Sequence, residues 1–179
     1  MTEEKEIFLK SALEQEAHPG LTIRYTEPSD AEYLKAWLSD PEVSSWFPMA
    51  DEAEIIDAVH RWISFSRVRS SITVELNGVP CGLATLYVQA YKKLAHQAEF
   101  GIIVGPGFRN QGIGTFLIKS LMRLAKEKFG LELLHLQVYA ENPAMRLYKR
   151  MGFREYGKQS HWIKEKNRYV ARIFMERFL

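Results

Sequence analysis

Four glycines fall within the ten residues from Gly105 to Gly114, in the stretch GPGFRNQGIGT. An apolar run, AEFGIIV (98–104), leads into them, and a helix-like run starting near Ile113 leads out. Strand, glycine loop and helix in that order restrict the chain to folds that set a helix N-terminus beside a strand end. Such a terminus offers unpaired N–H groups and the positive end of the helix dipole, which suit an anion. A plain glycine turn would use the same residues, and spacing alone leaves both readings open.

Two phosphate-binding patterns are excluded. Gly107 and Gly112 have the spacing of a nucleoside-triphosphate loop, but Ile113 and Gly114 stand where its lysine and hydroxyl belong. The dinucleotide fingerprint fails too. Asn110 replaces its third glycine after Gly105-Pro106-Gly107, and Leu117 does so after Gly112-Ile113-Gly114.

Around the loop the pattern predicts a mixed sheet flanked by helices. LTIRYTE (21–27) alternates like a first strand, and Pro28-Ser29-Asp30 opens a helix through Ala36, Trp37 and Leu38. DPEVSSWFP (40–48) reads as an irregular connection exposing Trp46 and Phe47. Asp51 and Glu54 have capping-box spacing before a helix with the stripe Ile55, Val59, Trp62, Ile63 and Phe65. SITVELNGVPCGLATLYV (71–88) predicts a hairpin turning at Asn77-Gly78. Gly101, inside the 98–104 strand, suggests a bulge or a close backbone approach. Ile113, Phe116, Leu117, Leu121, Leu124 and Ala125 share one helical face that ends at Phe129-Gly130. LELLHLQVY (131–139) is a further strand, Asn142-Pro143 opens a short helix to Met151-Gly152, and strands follow near 153–163 and 168–178.

The 179 residues, 46% hydrophobic and 26% charged, suit one domain with a core, preceded by a helical arm over residues 1–20. A net charge of +2 is too small to argue for nucleic acid. The acidic start MTEEKEIFLK lacks a signal-peptide layout, and no apolar run reaches spanning length. The single cysteine, Cys81, excludes an internal disulfide and reads as a buried structural thiol in a reducing cytoplasm. The five histidines show no metal-ligand spacing.

Arg109-Asn110-Gln111-Gly112-Ile113-Gly114 resembles the [Q/R]-x-x-G-x-[G/A] signature of the GNAT superfamily of N-acetyltransferases. ENPAMRLYKRMGF (141–153) resembles that family's second motif, N-x-x-A-x-x-L-Y-x-x-x-G-F. One departure is Ala144, which stands two residues after Asn142 instead of three. The resemblance covers about residues 21 to 178. DPEV, AEFGIIV and RYVARIFMERF look most like the branch of ribosomal-protein N-terminal and spermidine acetyltransferases. It implies an α/β (α+β) fold: a single mixed, mostly antiparallel sheet of six to seven strands, about four helices, and a fourth and fifth strand splayed apart. Residues 21–179 would form that acetyltransferase domain.

The resemblance further implies an acetyl-CoA co-substrate in the gap between the splayed strands, with no metal. Backbone groups of Ile102, Ile103 and Val104 would pair with its pantetheine arm. The amides of Arg109, Asn110, Gln111, Gly112, Ile113, Gly114 and Thr115 would hold its pyrophosphate. Asn142 would contact the same molecule, although it is also a good helix cap. Tyr148 would be the general acid for the departing thiolate, against a plain packing role. Glu99 is the candidate base for an acceptor ammonium, against a solvated strand-end carboxylate; Glu141 is a second choice. Lys149 and Arg150 could meet the 3′-phosphate or form a solvated face. Trp46, Phe47 and the 153–163 region would border the acceptor side. His135, in the fifth strand, would be structural or line the gap.

The function expected is transfer of acetyl to a primary amine of a peptide or small molecule by direct attack in a ternary complex. A non-catalytic acyl-CoA sensor is the alternative, and an RNA-associated protein a weaker third. The expected state is a monomer or a homodimer, with the last strand free to pair with its copy.

Overall fold

The structure is a computed structural model and describes residues 19–179. The arm expected over residues 1–20 therefore lies almost wholly outside the described residues. Strand β1 (Leu21–Tyr25) leads through a tight turn (Pro28–Asp30) into α1 (Ala31–Ser39), α2 (Pro41–Ser44) and α3 (Glu52–Ser64). The hairpin β2 (Ser71–Leu76) and β3 (Val79–Val88) follows, then β4 (Gln97–Val104), α4 (Ile113–Phe129) and β5 (Leu133–Tyr139). α5 (Met145–Arg150), β6 (Arg154–Glu165) and β7 (Arg168–Phe178) complete the chain.

Local chemistry sets most boundaries as expected. Asn77 and Gly78 take φ of 51° and 80°, as the tight hairpin requires. The Asp51 carboxylate caps α3 by accepting from the Glu54 amide at 2.9 Å. Glu54 does not complete the box on Asp51; its carboxylate takes the Ala50 amide instead. The 40–48 stretch is more ordered than its composition suggests. Asp40 caps α2, accepting from the Glu42 and Val43 amides, and Trp46 and Phe47 are half-buried.

The seven strands form one sheet in the order β1-β2-β3-β4-β5-β7-β6. Every pair is antiparallel except β4 with β5. α4 covers one face, where Phe116, Leu117, Leu121 and Leu124 pack on Ala84, Leu86, Ala98 and Leu134. α1 and α3 cover the other, packing Leu34, Trp37, Leu38 and Val59 on Leu83 and Ile103. Five helices flank the sheet among the described residues, one more than expected, because α2 is a full turn. No helix among them is long and apolar enough to cross a membrane.

Two expectations are corrected. Gly101 is not a bulge, since β3 and β4 pair without interruption from Gly82↔Val104 to Val88↔Ala98. Its cause is the other one proposed, close approach: a Cβ there would lie 2.5 Å from the Tyr87 hydroxyl and 2.7 Å from the Trp62 ring. The register shifts lie elsewhere, between Val74 and Glu75 on β2 and at two places along β6. The last strand is also unavailable to a second copy, because β7 is paired on both sides and the sheet edges are β1 and β6.

Candidate active site

The site begins where the parallel pairing stops. β4 and β5 share three rungs, Gln97↔Leu133, Ala98↔Leu134 and Glu99↔His135, and then part. Backbone groups alternate sides along a strand, and here the alternation can be fixed. The Gly105 amide donates to the Cys81 carbonyl on β3, and the His96 carbonyl accepts from Glu132 beside β5. Odd residues of β4 therefore turn their N–H and C=O to β3, and even residues turn theirs to β5. Beyond the last rung, Ile102 and Val104 present polar backbone to an open gap. Ile103, expected with them, has its amide directed at Leu83 instead and its side chain in the α1–α3 core. It borders the gap only as part of the wall.

The glycine loop closes one end of this gap. Gly112, at φ 81°, ends the loop in a left-handed conformation that an L-residue rarely adopts, and α4 starts immediately after it. The first helical bond runs from the Phe116 amide to the Gly112 carbonyl at 3.0 Å. The amides of Ile113, Gly114 and Thr115 precede it and have no partner within the helix. The loop is braced internally: Gln111 donates its Nε2 to the Gly107 carbonyl at 2.8 Å. Gly107 sits in open space at φ 81°, whereas Gly105 and Gly114 serve packing as much as any ligand. A Cβ on Gly105 would strike Trp37 at 2.7 Å, and one on Gly114 would meet Leu147 at 3.0 Å.

A cavity of about 540 Å³ fills the gap between loop, β4 and α5. Ile102, Val104, Arg109, Asn110, Gly112, Gly114, Thr115 and Asn142 all line it. Gln111 and Ile113 do not. The first is occupied in bracing the loop, and the second points into the core at 2% exposure. Three arginines, Arg109, Arg146 and Arg150, are the charged residues of the lining. Of Lys149 and Arg150, for which a phosphate contact and a solvated face were both open, only Arg150 lines the cavity; Arg146, one turn before it on the same face, was missed. The i, i+4 spacing of two arginines was the available signal.

A second cavity, about 750 Å³, lies on the α3 side of the opening. Trp46, Phe47, Ile102, Asn142 and Tyr148 line both, so the two meet there. Glu99 lines the second cavity from the last paired rung. Glu141 lines neither and pairs with Arg168 at 3.6 Å on the surface. His135, across the rung from Glu99, is outside both linings; burial lowers its pKa against the opposing pull of Glu99 and Glu176.

Tyr148 is 7% exposed, with its ring edge-on to Phe100 and Phe153. Burial pushes its hydroxyl well above the ordinary tyrosine range, so it is protonated at neutral pH. The ring packs as expected of a core residue, yet the side chain borders both cavities. Asn142 likewise has two uses. Its Oδ1 accepts from the Ala144 amide at 2.8 Å, capping the turn into α5, which leaves its Nδ2 donors to the cavities.

The family model described as the acetyltransferase (GNAT) family matches residues 11–153. The chain belongs to the GNAT acetyltransferase family. It is an acetyl-CoA-dependent acetyltransferase. As a GNAT protein it is 25% identical over 162 residues to the L-amino acid N-acetyltransferase AaaT of Escherichia coli (strain K12), covering 88% of this chain and 97% of that one. Among solved GNAT structures, the ribosomal-protein-alanine N-acetyltransferase of Brucella melitensis superposes with a TM-score of 0.72 at 24% identity, over 88% of this chain and 99% of that one. A chimeric spermidine N-acetyltransferase from Vibrio cholerae and hSSAT gives 0.72 at 23%, over 89% and 96%. At those identities the two structures establish the fold they share with this GNAT chain.

Proposed function

We propose that the protein transfers acetyl from acetyl-CoA to the primary amine of a small molecule or peptide, by direct attack while both are bound. The observation that carries this reading is the meeting of two cavities at Tyr148, just past the Glu99–His135 rung. The first cavity suits acetyl-CoA. Free amides at the start of α4 and the three arginines match its phosphates, and the exposed edge of β4 at Ile102 and Val104 matches the amides of its pantetheine arm. The second cavity gives the amine access to the thioester. A sensor of acyl-CoA would need no such second chamber.

In the proposed reaction Glu99 accepts a proton from the ammonium, directly or through water. The free amine then attacks the thioester carbonyl, so that a C–N bond forms and the C–S bond breaks. Tyr148 hands its proton to the departing sulfur and recovers one from the nitrogen, which must shed a second. The products are the N-acetyl amine, CoA thiol and a proton released through Glu99. The main-chain N–H of Ile102, facing the gap, is suited to polarise the thioester oxygen.

Acceptors with a lysine-like pKa near 10.4 cost about 4–5 kcal/mol to neutralise at pH 7, and a peptide α-amine near 8 about 1 kcal/mol. Glu99 therefore matters more for the former. Burial, then Glu75, pushes the Cys81 thiol up to about 11, which suits an inert core group; a single cysteine with no disulfide partner in the chain fits the reducing cytoplasm in which we place the enzyme. The test is mass spectrometry of a mixed amine pool with acetyl-CoA, alongside thiol release. Equal amounts of N-acetyl product and free CoA are expected. Thermal protection by acetyl-CoA with no product from any amine pool would favour the sensor.

A further inference from the structure

The second cavity has an unusual wall. Trp46 and Phe47 are neighbours in sequence, but their rings diverge into two separate chains of aromatic contacts. Trp46 meets Tyr139 edge-on at 6.4 Å, and Tyr139 meets Trp162 at 5.1 Å. Phe47 meets Trp62 at 6.2 Å, Trp62 meets Tyr87 at 6.4 Å, and Tyr87 meets Phe65 at 5.2 Å. All seven rings line the one cavity.

The strands are shaped to put them there. Along β6, Gln159 pairs with Arg172 and Ile163 with Val170, so three residues of β6 stand opposite Ala171 alone. Bulges of this kind turn a side chain out of its regular direction. Here the bulged segment contains Trp162, whose ring is held against Tyr139 by the Arg172 guanidinium, 4.9 Å from its centroid. Arg172 is itself anchored on Gln159 at 2.8 Å and on Gln137. On the other wall, the missing Cβ of Gly101 is what lets Trp62 and Tyr87 lie flush on β4.

Charge is sparse by comparison. Among the described lining residues Glu99 is the single carboxylate. Arg61 is the single cation, and Asp57 neutralises it at 3.0 Å. One ammonium can be balanced here; each further one would lose its hydration without a partner. Large, edge-on ring surfaces instead reward a broad apolar body.

We propose that the acceptor is a compact monoamine carrying an aromatic or similarly broad apolar group, seated between the two chains of rings with its amino group at Glu99. Trp162 and Tyr139 then determine specificity on one side and Trp62 and Phe65 on the other. This rests on the acetyl-transfer reading of the same site and narrows its acceptor.

The test compares phenethylamine, ethylamine, spermidine and an alanyl tripeptide amide as acceptors, with thermal protection by acetyl-CoA measured separately. Phenethylamine should exceed each of the others in kcat/KM by about tenfold or more. Trp162→Ala should raise the KM for phenethylamine about tenfold more than the KM for ethylamine; Trp162→Phe should restore most of the loss. A preference for spermidine or the tripeptide, or an equal effect of Trp162→Ala on phenethylamine and ethylamine, overturns the proposal and leaves acetyl transfer standing. If acetyl-CoA gives no protection and no amine reacts, the underlying site reading fails and takes this one with it. If acetyl-CoA protects but no amine in the set is turned over, quenching of tryptophan fluorescence by the same amines decides. Three of the four tryptophans line the cavity, so tighter quenching by phenethylamine than by ethylamine or spermidine supports the proposal, and the reverse order overturns it.

Discussion

Tyr148 and Glu99 stand on opposite sides of the opened sheet and make separable predictions. Tyr148→Phe keeps the ring contacts with Phe100 and Phe153 and removes only the hydroxyl. Turnover should fall about 10²-fold while the KM for acetyl-CoA is unchanged, as steady-state kinetics would show. Glu99→Gln should be most harmful at low pH with a high-pKa amine, and the loss should shrink as pH approaches the amine's own pKa. A pH–rate profile with two amines of different pKa checks this. A third residue supports the fold rather than the chemistry. Asp30, with its side chain 3% exposed, takes both Arg24 Nη atoms at 2.7 and 2.8 Å, the Glu27 amide and the Thr73 hydroxyl. Burial alone would raise its pKa, but the bonds from Arg24, Glu27 and Thr73 prevail and hold it below its ordinary 3.8. A depressed carboxylate contributes stability that is complete above the unfolded pKa and is lost as pH falls through the folded one. Asp30→Ala should therefore cost about 3–5 kcal/mol at neutral pH, and the difference from wild type in urea melts should narrow below pH 4.

At the level of elements, what was legible in sequence was what is local. Asn77-Gly78 names its turn, Gly112 and Gly130 bound α4, and the two motifs supply the cavity proposed for acetyl-CoA, because each depends on residues close along the chain. Gly101 was ambiguous for a physical reason. A glycine in a strand can mark a bulge or a near neighbour, and the neighbours that decide, Trp62 and Tyr87, come from other elements. Ile103 was misassigned because three consecutive residues were expected to face one gap, whereas a strand's backbone polar groups alternate. The proposed acceptor side was legible only in part: Trp46, Phe47, Glu99 and the 153–163 region were expected there, whereas Trp62, Phe65, Tyr87 and Tyr139 reach the same cavity from elements distant in sequence. The loop yields its own prediction. Gly112→Ala places an L-residue at φ 81°, costing about 1–2 kcal/mol in melts and turning the first α4 amides from their direction. Acetyl-CoA affinity by calorimetry should drop about tenfold. Arg146→Ala with Arg150→Ala should weaken binding more at low salt than at high salt.

For the whole molecule, the parallel join is its thinnest part. β1 to β4 are joined by antiparallel ladders, as are β5, β7 and β6, and only three rungs link the two sets. Acetyl-CoA bound along Ile102 and Val104 would span the break. Hydrogen–deuterium exchange should then slow most around residues 99–104 and 133–139 when it binds, with little change in β1 and β2. In mechanical terms the sheet is two leaves on a short hinge. A ligand bound there would act as a clasp, so the enzyme would be at its stiffest when loaded and would loosen as each round of products departs.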